Sequence, residues 1–182
     1  AVPLKYMIDR EKCIGCGICQ GICKAGAIEY EQAESDLTLK VGSVIVAPGF
    51  ESFDASHKTE YGYGRFQNVV TSIEFERILN ASGPYGGLIL RPSDGEIPKK
   101  IAFIQCVGSR DAQLGNNYCS AACCMYSIKE AIIAREHVPI ELKSTIFYMD
   151  IRAYGKEFDA YYNRAKEEYG VRFVASRVAS VE

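Results

Sequence analysis

Apolar and polar positions along the chain divide it into stretches of different period. Residues 4–8 and 27–30 are short apolar-rich runs on either side of a cysteine- and glycine-rich loop, and are expected to form an approaching and a returning strand. Leu37, Leu39 and Val41 then alternate with polar residues, and residues 44–47 become continuously apolar, as in a strand entering a sheet covered on both faces. Pro48 and Gly49 stop that run, and residues 50–70, rich in Gly, Tyr and charge, read as a long surface loop. Thr71 with Glu74 makes a capping-box pattern ahead of a helix whose apolar stripe is Phe75, Ile78 and Leu79. After a turn-rich connector with Pro92, Gly95 and Pro98, residues 101–105 predict a buried strand. Ser120 is expected to cap a helix bearing Cys124, Ile128, Ala131 and Ile132 that runs to about residue 136. A strand at 144–149, a helix carrying Phe158, Tyr161, Tyr162, Ala165 and Tyr169, a stop at Gly170 and a strand at 171–174 complete the pattern. Strands alternating with helices of this length predict a parallel α/β sheet with right-handed crossovers.

Composition narrows the possible functions. The 182 residues are 48% hydrophobic, enough for a real core, and full disorder is excluded. No apolar run approaches the roughly 20 residues a membrane-spanning helix needs, so a soluble, cytoplasmic protein is expected. The net charge of −2, without a block of Lys or Arg, offers no footprint for nucleic acid. The first residue is Ala1 rather than Met, which suggests a processed protein or a piece of a longer one. The two histidines, His57 and His137, supply little for catalysis, and no GxSxG elbow is present.

The eight cysteines change the picture most. They form two quartets: Cys13, Cys16, Cys19 and Cys23, spaced C-x2-C-x2-C-x3-C, and Cys106, Cys119, Cys123 and Cys124, spaced C-x12-C-x3-C-C. Four converging thiolates repel one another unless a cation lies between them, and soft sulfur ligands select zinc or iron–sulfur clusters. The first spacing is that of the bacterial ferredoxins, whose cysteines hold a [4Fe–4S] cube. Gly15, Gly17 and Gly21 suit a loop that curls tightly and points N–H groups at sulfur. In two-cluster ferredoxins the fourth cysteine of such a run ligates the other cube, so Cys23 serves either the local cube or one completed by a further segment; four local ligands are expected here. Lys24 stands where a proline usually follows.

The second quartet sits where a Rossmann unit would bind a dinucleotide. Cys106 ends a predicted strand, and Cys119, Cys123 and Cys124 lie at the start of the next helix, with no GxGxxG between them. If Cys119 is helical it shares a face with Cys123, four residues on. A four-thiolate cube carries a net charge of about −2, and the positive end of a helix dipole favours that anion as it would a phosphate. Two further readings use the same residues. One is structural zinc in an assembly protein; the other is a redox-active dithiol or thiol sensor at Cys123 and Cys124. Residues 1–35 are thus expected to be a ferredoxin-like module, residues 36–98 a strand, loop and helix connector, and residues 99–182 an α/β subdomain with a second cluster.

The chain resembles the A-subunit family of heterodisulfide reductase, iron–sulfur flavoproteins of methanogens and related anaerobes. The resemblance rests on both cysteine quartets, VIVAPGF at 44–50, YGYG at 61–64, TSIEFER at 71–77, FIQCVGSRD at 103–111, CCMY at 123–126 and FYMDIR at 147–152. It implies a thioredoxin-reductase-like core carrying FAD, interrupted by a ferredoxin insert, of which this chain would be an internal stretch. Residues 36–98 would then be FAD-domain-like. By the same resemblance Ala47, Pro48 and Gly49 match a turn that passes near FAD, with Pro48 replacing a threonine, and Lys129 approaches the flavin ring. The upstream FAD fingerprint is absent, so only part of a flavin site would lie here. The implied role is flavin-based electron bifurcation with other heterodisulfide reductase subunits, a hydrogenase or formate dehydrogenase as electron source, and ferredoxin. Such a segment is not expected to be active alone.

Overall fold

A computed structural model describes residues 8–31 and 36–182, and the chain separates into two compact units, residues 1–51 and residues 52–182. In the first unit one short helix, α1 (Ile18–Ile22), follows Gly17, whose φ of 73° is the left-handed conformation that glycine tolerates best. The expected strand at 27–30 is not formed, and residues 4–7 of the approach strand lie outside the described residues. The run at 44–47 is no strand either. Val44, Ile45 and Val46 are exposed, Ile45 by 90%. Apolar side chains favour a strand only where a neighbouring strand takes up the backbone N–H and C=O groups, and among the described residues none pairs with this run.

The second unit follows its sequence pattern closely. Helix α2 (Ser72–Leu79) begins at Thr71 with a complete capping box: Thr71 Oγ1 accepts from the Glu74 N–H, and the Glu74 carboxylate accepts from the Thr71 N–H at 2.7 Å. Strand β1 (Lys100–Ile104) leads through a long loop to α3 (Cys123–His137). Strand β2 (Lys143–Tyr148), α4 (Phe158–Glu167) and β3 (Arg172–Ala175) then follow. The three strands form one parallel sheet in the order β1-β2-β3, with Phe103 opposite Ile146 and Ile146 opposite Phe173.

The core lies between this sheet and the helices. Ile128, Ala131 and Ala134 of α3, Ile146 of β2 and Ala165 of α4 are fully buried, and Phe75 of α2 meets Phe103 edge to face. Because α3 packs against α2, α4 and β2, it is buried on several faces and has lost the one-sided stripe of a surface helix. The helix also starts later than expected. Its N-cap is Ala122, because Ala121 turns to a φ of 57°, outside helical geometry. Cys119 therefore lies outside the helix and shares no face with Cys123.

A carboxylate sits inside this core. Glu130 of α3 is only 2% exposed, and its Oε2 has no hydrogen-bond partner. Burial pushes its carboxyl up to about 8 from the ordinary 4.5. A raised carboxyl binds its proton more tightly in the folded state. Its contribution is therefore fully present below about pH 4.5 and is lost progressively until about pH 8, by up to about 5 kcal/mol. Glu130→Gln is expected to remove this slope: urea midpoints of the variant and the parent should diverge from pH 5 to pH 8, with the variant the more stable at pH 8. Parallel midpoints would contradict the assignment.

Candidate iron–sulfur sites

The first quartet lies on an open loop. Cys13, Cys16 and Cys19 are exposed and Cys23 is half-buried. Gly15 and Gly17 both have φ near 70°, as a tight curl around a bound group requires, whereas Gly21 lies inside α1 at an ordinary φ. Backbone N–H groups already point at sulfur: Gly15 N–H to Cys13 Sγ and Ala27 N–H to Cys23 Sγ, both at 3.4 Å. The Tyr30 hydroxyl lies 2.9 Å from Cys19 Sγ, and that contact pushes the phenol up to about 12. All of these donors stabilise negative charge on the thiolates.

The second quartet is gathered from a loop and a helix start. Cys106 follows β1 with a φ of 61°, Cys119 ends the loop, and Cys123 and Cys124 open α3 and are buried. Cys123 lies within hydrogen-bonding reach of both Cys106 and Cys124. The contact with Cys106 is the largest cause that draws Cys123 toward the thiolate, and it raises Cys106, while Cys123 raises Cys124. The Ala121 N–H donates to Cys119 Sγ at 3.3 Å. Cationic side chains stand close by, since Arg110 and Arg152 both bind Asp150, whose carbonyl faces Cys124 Sγ at 3.8 Å. All eight cysteines are free thiols. Among the described residues no three His, Cys, Asp or Glu side chains are drawn in to the spacing of a single-ion site. A [4Fe–4S] cube is held by four thiolates. The donor chemistry of both quartets fits such a cube.

The loop from Cys106 to Cys119 is firmly built. Asp111 and Asn116 form an isolated antiparallel bridge, Asn116 Nδ2 donates to the Gly108 carbonyl at 2.9 Å, and Ser109 Oγ donates to the Tyr118 carbonyl at 3.0 Å. Sequence reasoning missed the strongest tie. The carboxylate of Asp111, a residue 2% exposed, meets Lys58 Nζ at 2.5 Å, and Lys58 is itself 7% exposed. Each partner favours the other's charged form, lowering the carboxyl and raising the amine. No periodicity marks Lys58, which stands among ordinary charged loop residues.

Of the residues assigned to flavin, Ala47, Pro48 and Gly49 lie in the exposed extended stretch of the first unit. Lys129 projects from α3 and pairs with Glu76 Oε1 at 2.8 Å. It also lines an open groove of about 670 Å³ with Tyr126, Lys156, Phe158, Tyr161 and Arg164.

These features place the chain in the class of iron–sulfur proteins, and a 4Fe-4S binding domain model matches residues 6–29, spanning the whole first quartet. Over 181 residues, essentially the full length of this chain, it is 49% identical to the A-subunit of the H2:CoB-CoM heterodisulfide,ferredoxin reductase of Methanothermobacter marburgensis, covering 27% of that protein. It is 50% identical to the iron-sulfur A-subunit of the CoB–CoM heterodisulfide reductase of Methanocaldococcus jannaschii, again over 27%. With the A-subunit of the ferredoxin/F420H2-dependent CoB-CoM heterodisulfide reductase of Methanosarcina acetivorans it shares 47% identity over 23% of that protein. The chain belongs to the A-subunit family of heterodisulfide reductase and spans about a quarter of the length of these relatives.

A hydrogen bond to a ligating thiolate favours the more negative, reduced cube and raises its potential. Tyr30→Phe is therefore expected to move the midpoint potential of the first cube to more negative values without loss of iron, as read by voltammetry. An unchanged potential would remove the role of this contact.

Proposed function

We propose that the chain transfers electrons through two [4Fe–4S] clusters as part of a flavin-linked, electron-bifurcating heterodisulfide reductase. The observation that carries this reading is the second quartet, in which Cys106, Cys123 and Cys124 come together at a strand end and a helix start in a chain whose relatives are A-subunits of heterodisulfide reductases. The cubes supply one-electron transfer. Cys13, Cys16, Cys19 and Cys23 hold the first, and Cys106, Cys119, Cys123 and Cys124 hold the second. The chain's own residues set their charge balance through amide donors, the Tyr30 hydroxyl and the guanidinium groups of Arg110 and Arg152.

Residues 1–35 form the ferredoxin-like module in this reading, 36–98 the connector to an FAD domain, and 99–182 a Rossmann-type subdomain of thioredoxin-reductase kind. Three parallel strands linked by α3 and α4 support the last of these. For the flavin, the family resemblance points to Ala47, Pro48 and Gly49 in the first unit and, separately, to Lys129 in the second. The groove beside Lys129, with aromatic rings and cations on its walls, suits a planar anionic group. Other heterodisulfide reductase subunits, a hydrogenase or formate dehydrogenase and ferredoxin are the proposed electron partners, in keeping with the H2, formate and ferredoxin of the relatives' names, and a cytoplasmic setting suits them. No helix among the described residues is long and apolar enough to cross a membrane.

A thiol sensor at Cys123 and Cys124 draws on the same thiolate at Cys123 but leaves Cys119 idle, and structural zinc leaves the heterodisulfide reductase relatives unexplained. Cys124→Ser separates these readings. In protein prepared without oxygen, about half of the chain's iron–sulfur absorbance should disappear, one cube of two, while the first cube remains. Undiminished iron and sulfide would overturn the second site, and a colourless, zinc-loaded parent would overturn both.

A further inference from the structure

Two ligands of the second quartet, Cys106 and Cys119, ride on a loop whose only helical element is a single 3-10 turn, Ala112–Leu114. Its backbone is strained. Cys106, Arg110 and, just beyond the loop, Ala121 have φ values of 61°, 55° and 57°, three of the four non-glycine residues with positive φ among the described residues. Such conformations persist only where the surroundings fix them. Here the surroundings are a second loop at residues 53–61. The Phe53 ring covers Gly108 so closely that a Cβ there would collide with it. The buried Lys58 amine grips the buried Asp111 carboxylate, which also accepts from the Gln113 N–H at 3.1 Å, and Arg177 approaches the same carboxylate at 3.6 Å. The C-terminal residues back the clasp: the Val181 N–H donates to the Glu60 carbonyl, and the Tyr61 hydroxyl donates to the Val178 carbonyl.

We propose that Lys58 is a positioning residue for the second cube: through the buried Asp111 carboxylate it holds the strained loop so that Cys106 and Cys119 face Cys123 and Cys124. The inference rests on the two-cube reading above and adds to it a cation remote from the sulfurs. An ion pair this buried is costly to break from one side, because the remaining charge has no water to return to. Losing Lys58 therefore releases the loop rather than merely weakening one contact.

The test uses the full-length protein, purified and reduced without oxygen, and electron paramagnetic resonance. The signal that Cys124→Ser abolishes identifies the second cube. Lys58→Met and Asp111→Asn are expected to shift or broaden that signal and to speed iron loss from that cube to a chelator by at least ten-fold, leaving the first cube's signal unchanged. If Lys58→Met does not fold, Asp111→Asn decides alone, since its Oδ1 still accepts from Gln113. An unchanged line shape and stripping rate would overturn the proposal while leaving the two-cube reading intact. So would a lowered thermal midpoint with an unchanged line shape, the mark of a purely structural pair. A protein in which no signal depends on Cys124 would overturn both.

Discussion

In the two-cube reading, concentrated negative charge on sulfur is the constraint to which the rest of this chain answers. Four thiolates around a cube leave a net anion, and a protein can hold one inside its fold only by surrounding it with donors, cations and fixed backbone. Each quartet meets this in its own way. The first lies on an exposed loop and relies on nearby N–H groups and one phenol. The second lies at the junction of β1 and α3, with two cysteines buried, and adds the guanidinium groups of Arg110 and Arg152 and a helix N-terminus. The greater burial of the second quartet makes its supporting structure more exacting.

Much of the second unit was legible because its elements are local and periodic. The capping box at Thr71 and Glu74 needs only neighbouring residues, the strands near 101–105 and 171–174 find their partner in β2, and all of them appear within a residue or two of expectation. What failed depended on distant partners. The run at 44–47 has the composition of a buried strand, but a strand is a property of a pair, and no pairing strand lies among the described residues. The start of α3 failed for a different reason. Ser120 has good capping chemistry, but Ala121 takes the chain out of helical geometry, so the helix opens only after Ala122.

Cysteine spacing singles out the candidate ligands, whereas the residues that surround them were invisible. Spacing is a local code and can be read from the sequence alone. Tyr30 and Lys58 act across gaps of 11 and 53 residues, toward Cys19 and Asp111 respectively. Neither carries a pattern that separates it from any exposed tyrosine or lysine. Glu130 was hidden for the opposite reason: it occupies a helix position where a glutamate normally faces water, and only the packing of α2, α4 and the sheet around α3 takes that water away.

Buried charge is treated in two contrasting ways within the second unit, and the contrast bears on function. At Lys58 and Asp111 both partners are present, so each keeps its charge, and the pair is rigid because neither can leave without stranding the other. At Glu130 the neighbouring Lys129 amine, paired with Glu76, does not offset burial, and the carboxyl answers by holding its proton. A second cube held as proposed, with its sulfur atoms fixed while an electron comes and goes, would gain from the first arrangement, because a neutralising proton at the clasp would loosen the loop that carries Cys106 and Cys119. A depressed carboxyl at Asp111 and a raised amine at Lys58 keep that clasp ionised on both the acid and the alkaline side of neutrality, so the geometry of the ligand loop is insulated from pH even though the helix behind it is not.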